Sequence, residues 1–293
     1  MKQVLLMIAV VALVGCSKDT PETSQAAEAE AQVTFETEPV LPAEEKLIVE
    51  KAVRKFLRKP EGELTEADLE KVTSLGLTGT QITDADLKEV AKLQNLNKLL
   101  LDGSNITDAG LKEVAKFQNL TWLELAYTKI SDVGVKEVVK LEKLKKLTLN
   151  AKITDAGLTD LAKLQNLNEL SLDHSKITDV GLKEVAKLQQ LTWLDLMNTQ
   201  ITDAGLKEVA KLRKLKALVL GFTQITDAGL KDVAKLQNLE ILFLNDTKIT
   251  DASLEEVAKL QNLKNLFLTE TKITDAGVAE LKKALPNCRI SGP

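Results

Sequence analysis

The side chains that most often catalyse reactions or bind metals are scarce in this chain. Its 293 residues include one histidine, His174, and two cysteines, Cys16 and Cys288. These numbers exclude a zinc cluster of Cys and His ligands and a framework of disulfides. We therefore expect neither a cofactor nor a metal centre.

A hydrolytic triad is the one catalytic arrangement that the residues around His174 suggest. Ser171, Asp173 and Ser175 lie next to the histidine in the sequence, and Asp195 follows further along the chain. However, no Gly-x-Ser-x-Gly nucleophile elbow surrounds either serine. We expect no enzymatic activity, and a cryptic hydrolase based on His174 stays open as an alternative.

The overall composition is typical of a folded protein that does not bind nucleic acids. Hydrophobic residues make up 44% of the chain and charged residues 28%, as is usual for globular proteins. The net charge is −4 and aromatic residues make up only 3%. There is thus no basic excess for phosphate groups and little aromatic surface for base stacking.

The amino terminus has the pattern of an export signal. Eleven apolar residues, 4–14, follow a short basic start, and such a run is too short for a helix that spans a bilayer, which needs ~20 residues. The run ends in Leu13, Val14, Gly15 and Cys16, which resembles the lipobox of bacterial lipoproteins. The resemblance implies a signal peptide over residues 1–15 and lipidation of Cys16. An ordinary signal peptide with an incidental cysteine is the alternative.

The predicted lipid would anchor an exported protein to the cell envelope. By resemblance to proteobacterial sorting, Ser17 favours the outer membrane over the inner membrane. Residues 16–42 are rich in Ala, Glu, Thr and Pro, and Lys18 is their only basic residue. Such a segment cannot bury enough apolar surface to offset its conformational entropy. We predict a lipidated, flexible and acidic tether over residues 16–42, with the lipid as the only link to the membrane.

A sequence repeat predicts the fold of the rest of the chain. An Ile-Thr/Ser-Asp triplet recurs nine times, at a spacing of 24 residues in all but one interval, which is 23. A fixed period of this length is typical of a solenoid. The isoleucines of the nine triplets are Ile82, Ile106, Ile130, Ile153, Ile177, Ile201, Ile225, Ile249 and Ile273.

Each repeat has the pattern of one strand followed by one helix. Leu194 and Leu196 are two residues apart and therefore share one face of a strand. Thr199 then lies in a turn, where its hydroxyl can satisfy backbone groups, and Thr202 with Asp203 forms a helix N-cap. Helical spacing predicts that Leu206, Val209, Ala210 and Leu212 point inward, and that Lys207, Glu208 and Lys211 point outward.

The Leu-x-x-Leu-x-Leu-x-x-Thr-x-Ile half of each unit resembles the leucine-rich repeat, over residues 72–285. The resemblance implies a right-handed α/β solenoid with a parallel sheet on its concave face and helices on its convex face. The repeats resemble those of secreted planctomycete-type proteins and, in fold only, the repeat region of F-box proteins. The family implies a non-catalytic scaffold for recognising proteins.

Separate segments are expected to cover the two ends of the solenoid. Residues 43–71 resemble a helical N-terminal cap, and residues 286–293 resemble a closing segment in which Cys288 faces the core from a short strand. The first cap helix, residues 43–59, is expected to present Ile48, Ala52, Val53, Phe56 and Leu57 on one face. A solenoid needs such covering of its open apolar ends for solubility. We expect the protein to be a monomer.

Aromatic residues concentrate at the outward positions of the predicted strands and at the two residues after them. The repeats hold seven aromatic residues, and all except Phe117 fall at these positions. Exposed aromatic side chains confined to one surface indicate binding. They are joined by acidic residues, among them Asp102, against the basic Lys98 and Lys146. The predicted partner-binding residues are Trp122, Glu124, Tyr127, Glu169, Asp173, Trp193, Asp195, Phe222, Phe243, Asp246, Phe267 and Glu270.

This acidic and aromatic surface favours a partner protein with a basic surface, through charge complementarity and cation–π contacts. A glycan-binding protein or an adhesin is the alternative, because aromatic platforms beside carboxylates also bind sugars. The spacing places Trp122 and Trp193 three strands apart, at roughly 14 Å. It places Phe243 and Phe267 on adjacent strands, where their rings should nearly touch.

Overall fold

One parallel sheet of three-residue strands forms a side of the repeat region. The computed structural model describes residues 42–149 and 152–292, so the predicted signal peptide, the lipidation of Cys16 and nearly all of the tether lie outside the described residues. Within these two ranges ten strands pair in chain order. They are β1 Ser74–Gly76, β2 Lys98–Leu100, β3 Trp122–Glu124, β4 Lys146–Thr148, β5 Glu169–Ser171, β6 Trp193–Asp195, β7 Ala217–Val219, β8 Ile241–Phe243, β9 Asn265–Phe267 and β10 Arg289–Ser291.

Helical segments alternate with the strands, which confirms the predicted α/β solenoid. A 3-10 turn, Asp251–Ser253, precedes the tenth helix. The helices within the described ranges are α1 Pro42–Leu57, α2 Glu66–Leu69, α3 Leu87–Val90, α4 Leu111–Val114, α5 Asp132–Val138, α6 Asp155–Leu161, α7 Asp179–Val185, α8 Asp203–Val209, α9 Asp227–Val233, α10 Leu254–Val257 and α11 Asp275–Ala284.

The register of the sheet follows the sequence repeat. Leu170 pairs with Leu194, and Leu194 pairs with Leu218, one full repeat at each step. Leu147 pairs with Leu170 across the short fourth repeat, so the missing residue lies after strand β4 and leaves the pairing intact. Equivalent residues of successive repeats therefore form columns that run across the sheet.

The core lies between the sheet and the helices. Leu194 and Leu196 from the strand segment, Ile201 from the turn and Leu206 from the helix are all fully buried. Val209, Ala210 and Leu212 are buried as well, whereas Lys207 and Lys211 are exposed. The predicted inward and outward sides of the helix are thus correct. Neighbouring repeats must stack because one strand and one short helix cannot cover this apolar edge alone.

The aspartate of each Ile-Thr-Asp triplet links two repeats, which the sequence interpretation missed. Thr202 is the N-cap of α8 as predicted, and its side chain accepts from Ala204 N–H. Asp179, from the preceding repeat, accepts from Thr202 backbone N–H at 2.8 Å and from its hydroxyl at 2.7 Å. The same pair of bonds recurs from Asp84 to Asp251. The aspartate therefore does more than support its own N-cap, because its carboxylate reaches forward to the next turn.

The contact between Asp179 and Thr202 leaves room only for a glycine at position 205, because the Asp179 carboxylate lies close to that part of the backbone. A Cβ atom on Gly205 would collide with Asp179 Oδ1 and Leu182 Cδ1. The first repeat has no preceding aspartate, and Asp86 stands at the glycine position there. The carboxylate of Asp86 accepts from Thr83 backbone N–H at 2.7 Å and from its hydroxyl at 2.9 Å. The first repeat therefore satisfies internally the groups that later repeats satisfy through a neighbour.

Helix α1 contacts the first repeat at one end of the sheet, and β10 is the last strand at the other end. In α1 the residues buried against the first repeat are Val49 and Val53, whereas Phe56 is 40% exposed. The expected position of Phe56 on the packed face is wrong, because the helix turns the i, i+4 pair of valines toward the core. Cys288 is buried at the other end, directly before β10 rather than within it. The described residues contain no helix with the length and apolar character to cross a bilayer.

Candidate functional site

The sheet has one face turned away from the core, which we call the open face. It carries the first and third residue of each strand, such as Trp193 and Asp195 on either side of the buried Leu194. The predicted site residues occupy this face or the turns that directly follow the strands. Trp122, Glu169 and Trp193 are first residues of strands, and Glu124, Asp195, Phe243 and Phe267 are third residues.

Trp122 is held by other side chains of the same face. The Lys98 ammonium lies 3.2 Å from the centre of the indole ring and the Lys146 ammonium lies 4.1 Å from it. These lysines come from the strands on either side of β3. The indole N–H donates to Glu124 at 2.8 Å, and Lys146 also pairs with Glu169 at 3.2 Å. Both the ring and the two predicted basic residues of the face are therefore occupied within the protein.

Trp193 has the same position in its repeat but different neighbours. Its partners in register are Glu169 on one side and the small Ala217 on the other. In the described part of the chain its indole N–H has no hydrogen-bond partner and no cation lies over its ring. Trp193 is partly exposed, so its ring is available to a ligand in a way that the ring of Trp122 is not.

Apolar side chains extend from Trp193 across the next three strands. The rings of Phe243 and Phe267 are stacked at 4.1 Å with an interplanar angle of 5°, which confirms the predicted contact. Ala217 and Val219 lie on the open face but are buried beside their larger neighbours. We call this set the apolar patch: Trp193, Ala217, Val219, Ile241, Phe243 and Phe267.

Three members of the apolar patch were missed in the sequence. Ala217, Val219 and Ile241 are not aromatic, so a search for aromatic residues passed over them. The signal was the run of apolar residues through strands β7 and β8, whose outward positions hold no charged or polar residue. A strand that is apolar on both sides indicates a surface that favours contact.

Four carboxylates form a second group, two on the open face and two in the turns that follow β2 and β5. We call Asp102, Glu124, Asp173 and Asp195 the acidic row. Within the described residues none of them forms an ion pair with a Lys or Arg, and the only pairing is Asp173 with His174. Asp102 accepts from the backbone N–H of Ala126 at 2.7 Å, and Asp195 accepts from that of Met197 at 2.9 Å. The row therefore carries negative charge that no basic side chain of the described chain neutralises.

Burial and mutual repulsion shift the ionisation of this row. Burial is the main cause that raises the pKa of Asp102 to about 7, and a hydrogen bond with Glu124 and the charges of Glu124 and Asp173 add to it. Burial also raises the pKa of Asp195 to about 6, with a further contribution from the charge of Asp173. A positive ligand group placed here would lower both values, because it stabilises the charged forms.

The side chains around His174 do not form a nucleophile–base pair. Asp173 accepts from the Ser171 hydroxyl at 2.8 Å and lies 3.1 Å from His174 Nδ1. The serine thus donates to the carboxylate and not to the imidazole that would have to activate it. The hydroxyl of Ser175 is buried and lacks a hydrogen-bond partner in the described structure. His174 instead approaches Tyr127, with ring centres 6.2 Å apart.

The remaining predicted residues lie in the turns after the strands. Tyr127 and Phe222 are more than half exposed, and with Asp246 and Glu270 they adopt positive φ angles between 51° and 59°. No ring contact or ion pair joins Phe222, Asp246 or Glu270 to another described residue. The described residues hold no group of three or more His, Cys, Asp or Glu side chains that could bind a metal ion.

Comparisons with known proteins agree with this architecture. The family model described as "Leucine Rich repeat" matches residues 163–186, 187–210 and 211–234. Internalin C2 of Listeria monocytogenes is 27% identical over 84% of this chain and 92% of its own, with a TM-score of 0.51. A leucine-rich-repeat protein of Leptospira interrogans is 22% identical over 76% of this chain and 73% of its own, with a TM-score of 0.47. No curated protein matches the sequence.

The stacked strand–helix units and the open sheet define a leucine-rich-repeat solenoid. Three of its repeats match the leucine-rich-repeat family model, and its fold is similar to that of the bacterial protein internalin C2. Proteins of this class are generally scaffolds for protein interaction and are typically not enzymes.

Proposed function

We propose that this chain is a non-catalytic scaffold that binds a partner protein through the open face of its sheet. The observation that carries the proposal is the apolar patch on the open face, next to an acidic row that has no Lys or Arg partner among the described residues. The helix side differs, because its glutamates and lysines pair three residues apart, as in Glu208 with Lys211 at 2.6 Å. Protein interfaces favour aromatic and other apolar side chains at their centre, with charges around them.

We further propose that the scaffold is exported and held at the cell envelope, in the outer membrane, by lipid on Cys16. The sequence from Leu13 to Cys16 supports this proposal. Several acyl chains on one residue would give a stable anchor, whereas a single chain binds only marginally. The scaffold would act as a monomer, because each end of the repeat region has its own covering segment.

The first test of the open face uses Trp193. Trp193→Ala should weaken partner binding by about 2 kcal/mol, because large rigid side chains at the centre of an interface contribute most of its energy. The partner is first captured by crosslinking in native envelopes, and its affinity for each purified variant is then measured. Thermal unfolding should change little, since the indole has no hydrogen-bond or cation partner among the described residues.

The matched control changes the opposite side of the same repeat. Lys207→Ala with Glu208→Ala should leave the affinity unchanged. A partner that ignores Trp193→Ala but loses affinity with the helix-side double variant would move the binding surface to the helices and contradict the proposal.

A glycan-binding or adhesin function is the second candidate. It is favoured by the unpartnered indole N–H of Trp193 beside the Asp195 carboxylate, since rings and carboxylates together can bind sugar faces and hydroxyls. Enzymatic removal of glycans from the envelope extract distinguishes the two functions. Loss of the Trp193-dependent capture would favour the glycan, and unchanged capture would favour the protein partner.

A further inference from the structure

We propose that the binding segment of the open face spans strands β6 to β9, and that its occupant is an extended segment of a partner protein with an Arg or Lys side chain about three residues from a large apolar one. The basic group would lie against Asp195 and Asp173, and the apolar one against Phe243 and Phe267. The inference rests on the proposed function and specifies the chemistry of the partner.

The neighbours of the two tryptophans limit the site to this part of the sheet. Trp122 already has an ammonium group from each neighbouring strand and a hydrogen bond to Glu124. A ligand on β2 to β4 would have to displace these contacts before it could use the ring. Trp193 has no such contacts in the described chain, and it begins the apolar patch. Binding at β6 to β9 therefore requires less rearrangement.

The dimensions of the apolar patch fit one extended chain. Four adjacent strands span roughly 14 Å between the axes of β6 and β9, and the first and third residues of a strand are about 7 Å apart. A surface of this size accommodates about five residues of a single extended segment that crosses the strands. Because β6 and β8 are about 10 Å apart, residues that contact Asp195 and Phe243 would be about three positions apart in that segment.

The charge of the occupant follows from the groups around Asp195. The titratable groups that act on its carboxyl are Asp173, which raises its pKa, and His174, which lowers it. Its neighbours in register are Ser171 and Val219, which carry no charge. Within the described chain Asp195 has no Lys or Arg partner. A guanidinium or ammonium group at this place would compensate a half-buried negative charge beside the apolar patch.

The test selects peptides with the full chain as bait. A phage library of random twelve-residue peptides is selected at pH 8, and the enriched peptides should combine Arg or Lys with a large apolar residue about three positions away. Phe243→Ser or Phe267→Ser should reduce peptide affinity at least tenfold. Trp122→Ala and the helix-side double variant, Lys207→Ala with Glu208→Ala, should change it less than twofold. Unchanged thermal unfolding shows that each variant is folded.

A double-mutant cycle tests the charge contact directly. Changing the basic residue of an enriched peptide to Gln should weaken its binding to the wild-type chain about tenfold, and its binding to Asp195→Asn much less. Asn keeps the acceptor for Met197 N–H and removes only the charge. The peptide should also bind about tenfold more weakly at pH 5 than at pH 8, because the Asp195 carboxyl must lose its proton to pair with a cation.

The outcomes separate this inference from the proposed function. Enriched peptides that depend on Phe243 but lack a basic residue, or that show no coupling to Asp195, overturn the inference and leave the proposed function standing. Selection of no peptide overturns the inference, because an extended segment is its stated occupant. Peptides that bind Phe243→Ser and Trp193→Ala normally but lose affinity for the helix-side variant contradict both proposals.

Discussion

At the scale of single residues, neighbours decide what a side chain can do. Trp122 and Trp193 occupy the same column of the sheet, yet only Trp122 has lysines on both adjacent strands. The carboxylates show the same dependence. Glu169 is paired with Lys146, whereas Asp102 and Asp195 have no Lys or Arg partner in the described chain and carry raised pKa values. Chemical character at each column position thus depends on residues one repeat away.

Replacing Asp102 should reveal the free-energy cost of its charge. Its pKa is about 7 in the folded protein and near its lower, ordinary value when unfolded. Between the unfolded and the folded pKa, the Asp102 carboxyl is protonated in the folded state but ionised in the unfolded state. The free energy of unfolding therefore falls as the pH rises through this range, and it is lowest above pH 7. Asp102→Asn should therefore raise the thermal midpoint at pH 8 and leave it nearly unchanged at pH 4.

Thermal unfolding at pH 4 and pH 8 checks the prediction. Asp108→Asn is the control, because the Asp108 carboxylate accepts two hydrogen bonds from Ser131 in the next repeat. This substitution should lower the thermal midpoint at pH 8. A lower midpoint for Asp102→Asn at pH 8 would show that the carboxylate is stabilised by a contact other than those described.

At the scale of elements, the repeats are joined by more than apolar packing. The aspartate of a triplet binds the backbone N–H and hydroxyl of the Thr or Ser in the next triplet, as Asp179 does with Thr202. A glycine such as Gly205 gives it room, except beside Asp227, where Ser253 stands at the glycine position. The bridge fixes the spacing of successive helices at their amino ends. In the first repeat no preceding aspartate reaches Thr83, and Asp86, at the glycine position, accepts the hydrogen bond from Thr83 N–H instead.

A cycle of substitutions tests the bridge. Gly205→Ala should destabilise the protein by about 1–3 kcal/mol, because the new Cβ overlaps the Asp179 carboxylate. Asp179→Ala should cost a similar amount, since it leaves Thr202 without two hydrogen bonds. The double variant should lose clearly less than the sum, because Asp179→Ala removes the atom that the methyl group meets.

Chemical denaturation measures this coupling, and the exposed neighbour Ala204 serves as the control site, where Ala204→Ser should have an effect below about 0.5 kcal/mol. Strict additivity of Gly205→Ala and Asp179→Ala would mean that the glycine is needed for a reason other than this carboxylate.

The two sides of the repeat should also differ in their sensitivity to truncation. Leu196 is fully buried, so Leu196→Ala should reduce the free energy of unfolding by about 2–5 kcal/mol. Lys207 is exposed on α8, and Lys207→Ala should stay within about 0.5 kcal/mol. Urea unfolding of the two variants provides the comparison, and equal midpoints would contradict the described inward and outward faces.

At the scale of the whole molecule, the solenoid places a long open sheet on one side and short charged helices on the other. Because each repeat contacts only its neighbours, the columns of side chains can vary without changing the fold. The acidic row and the apolar patch are therefore two segments of one surface. This arrangement suits the proposed recognition of a partner that is basic in one part and apolar in another.

The proposed anchor is a property of the whole chain and rests on one residue. Cys16→Ala should abolish lipidation and release the protein from membranes, because no other residue is proposed to hold it there. Membrane fractionation after a high-salt wash provides the measurement, and Cys288→Ala, a change in the closing segment, is the matched control that should remain with the membranes. A Cys16→Ala variant that still sediments would require a second anchor.

The sequence by itself determined the solenoid and the identity of its inward and outward positions. A period of 24 residues, broken once, gave each repeat the same strand, turn and helix, and the register of the sheet follows that period. Local spacing was sufficient because a solenoid places each repeat against the next. The neighbours of Leu194 and Leu196 are therefore the residues one repeat before and one repeat after them in the sequence. The contact between Phe243 and Phe267 was predictable for the same reason.

The tertiary structure alone decided which outward side chains are occupied. Lys98 and Lys146 cover Trp122, and Asp179 reaches Thr202, through side chains from different repeats. Asp173 contacts both Ser171 and His174 within one repeat. All of these contacts depend on the directions that the side chains take. The sequence places such residues close together, within one repeat or in adjacent repeats, but long side chains there have several possible partners within reach. Burial and the competition among nearby charges select one partner, and both exist only once the repeats are stacked.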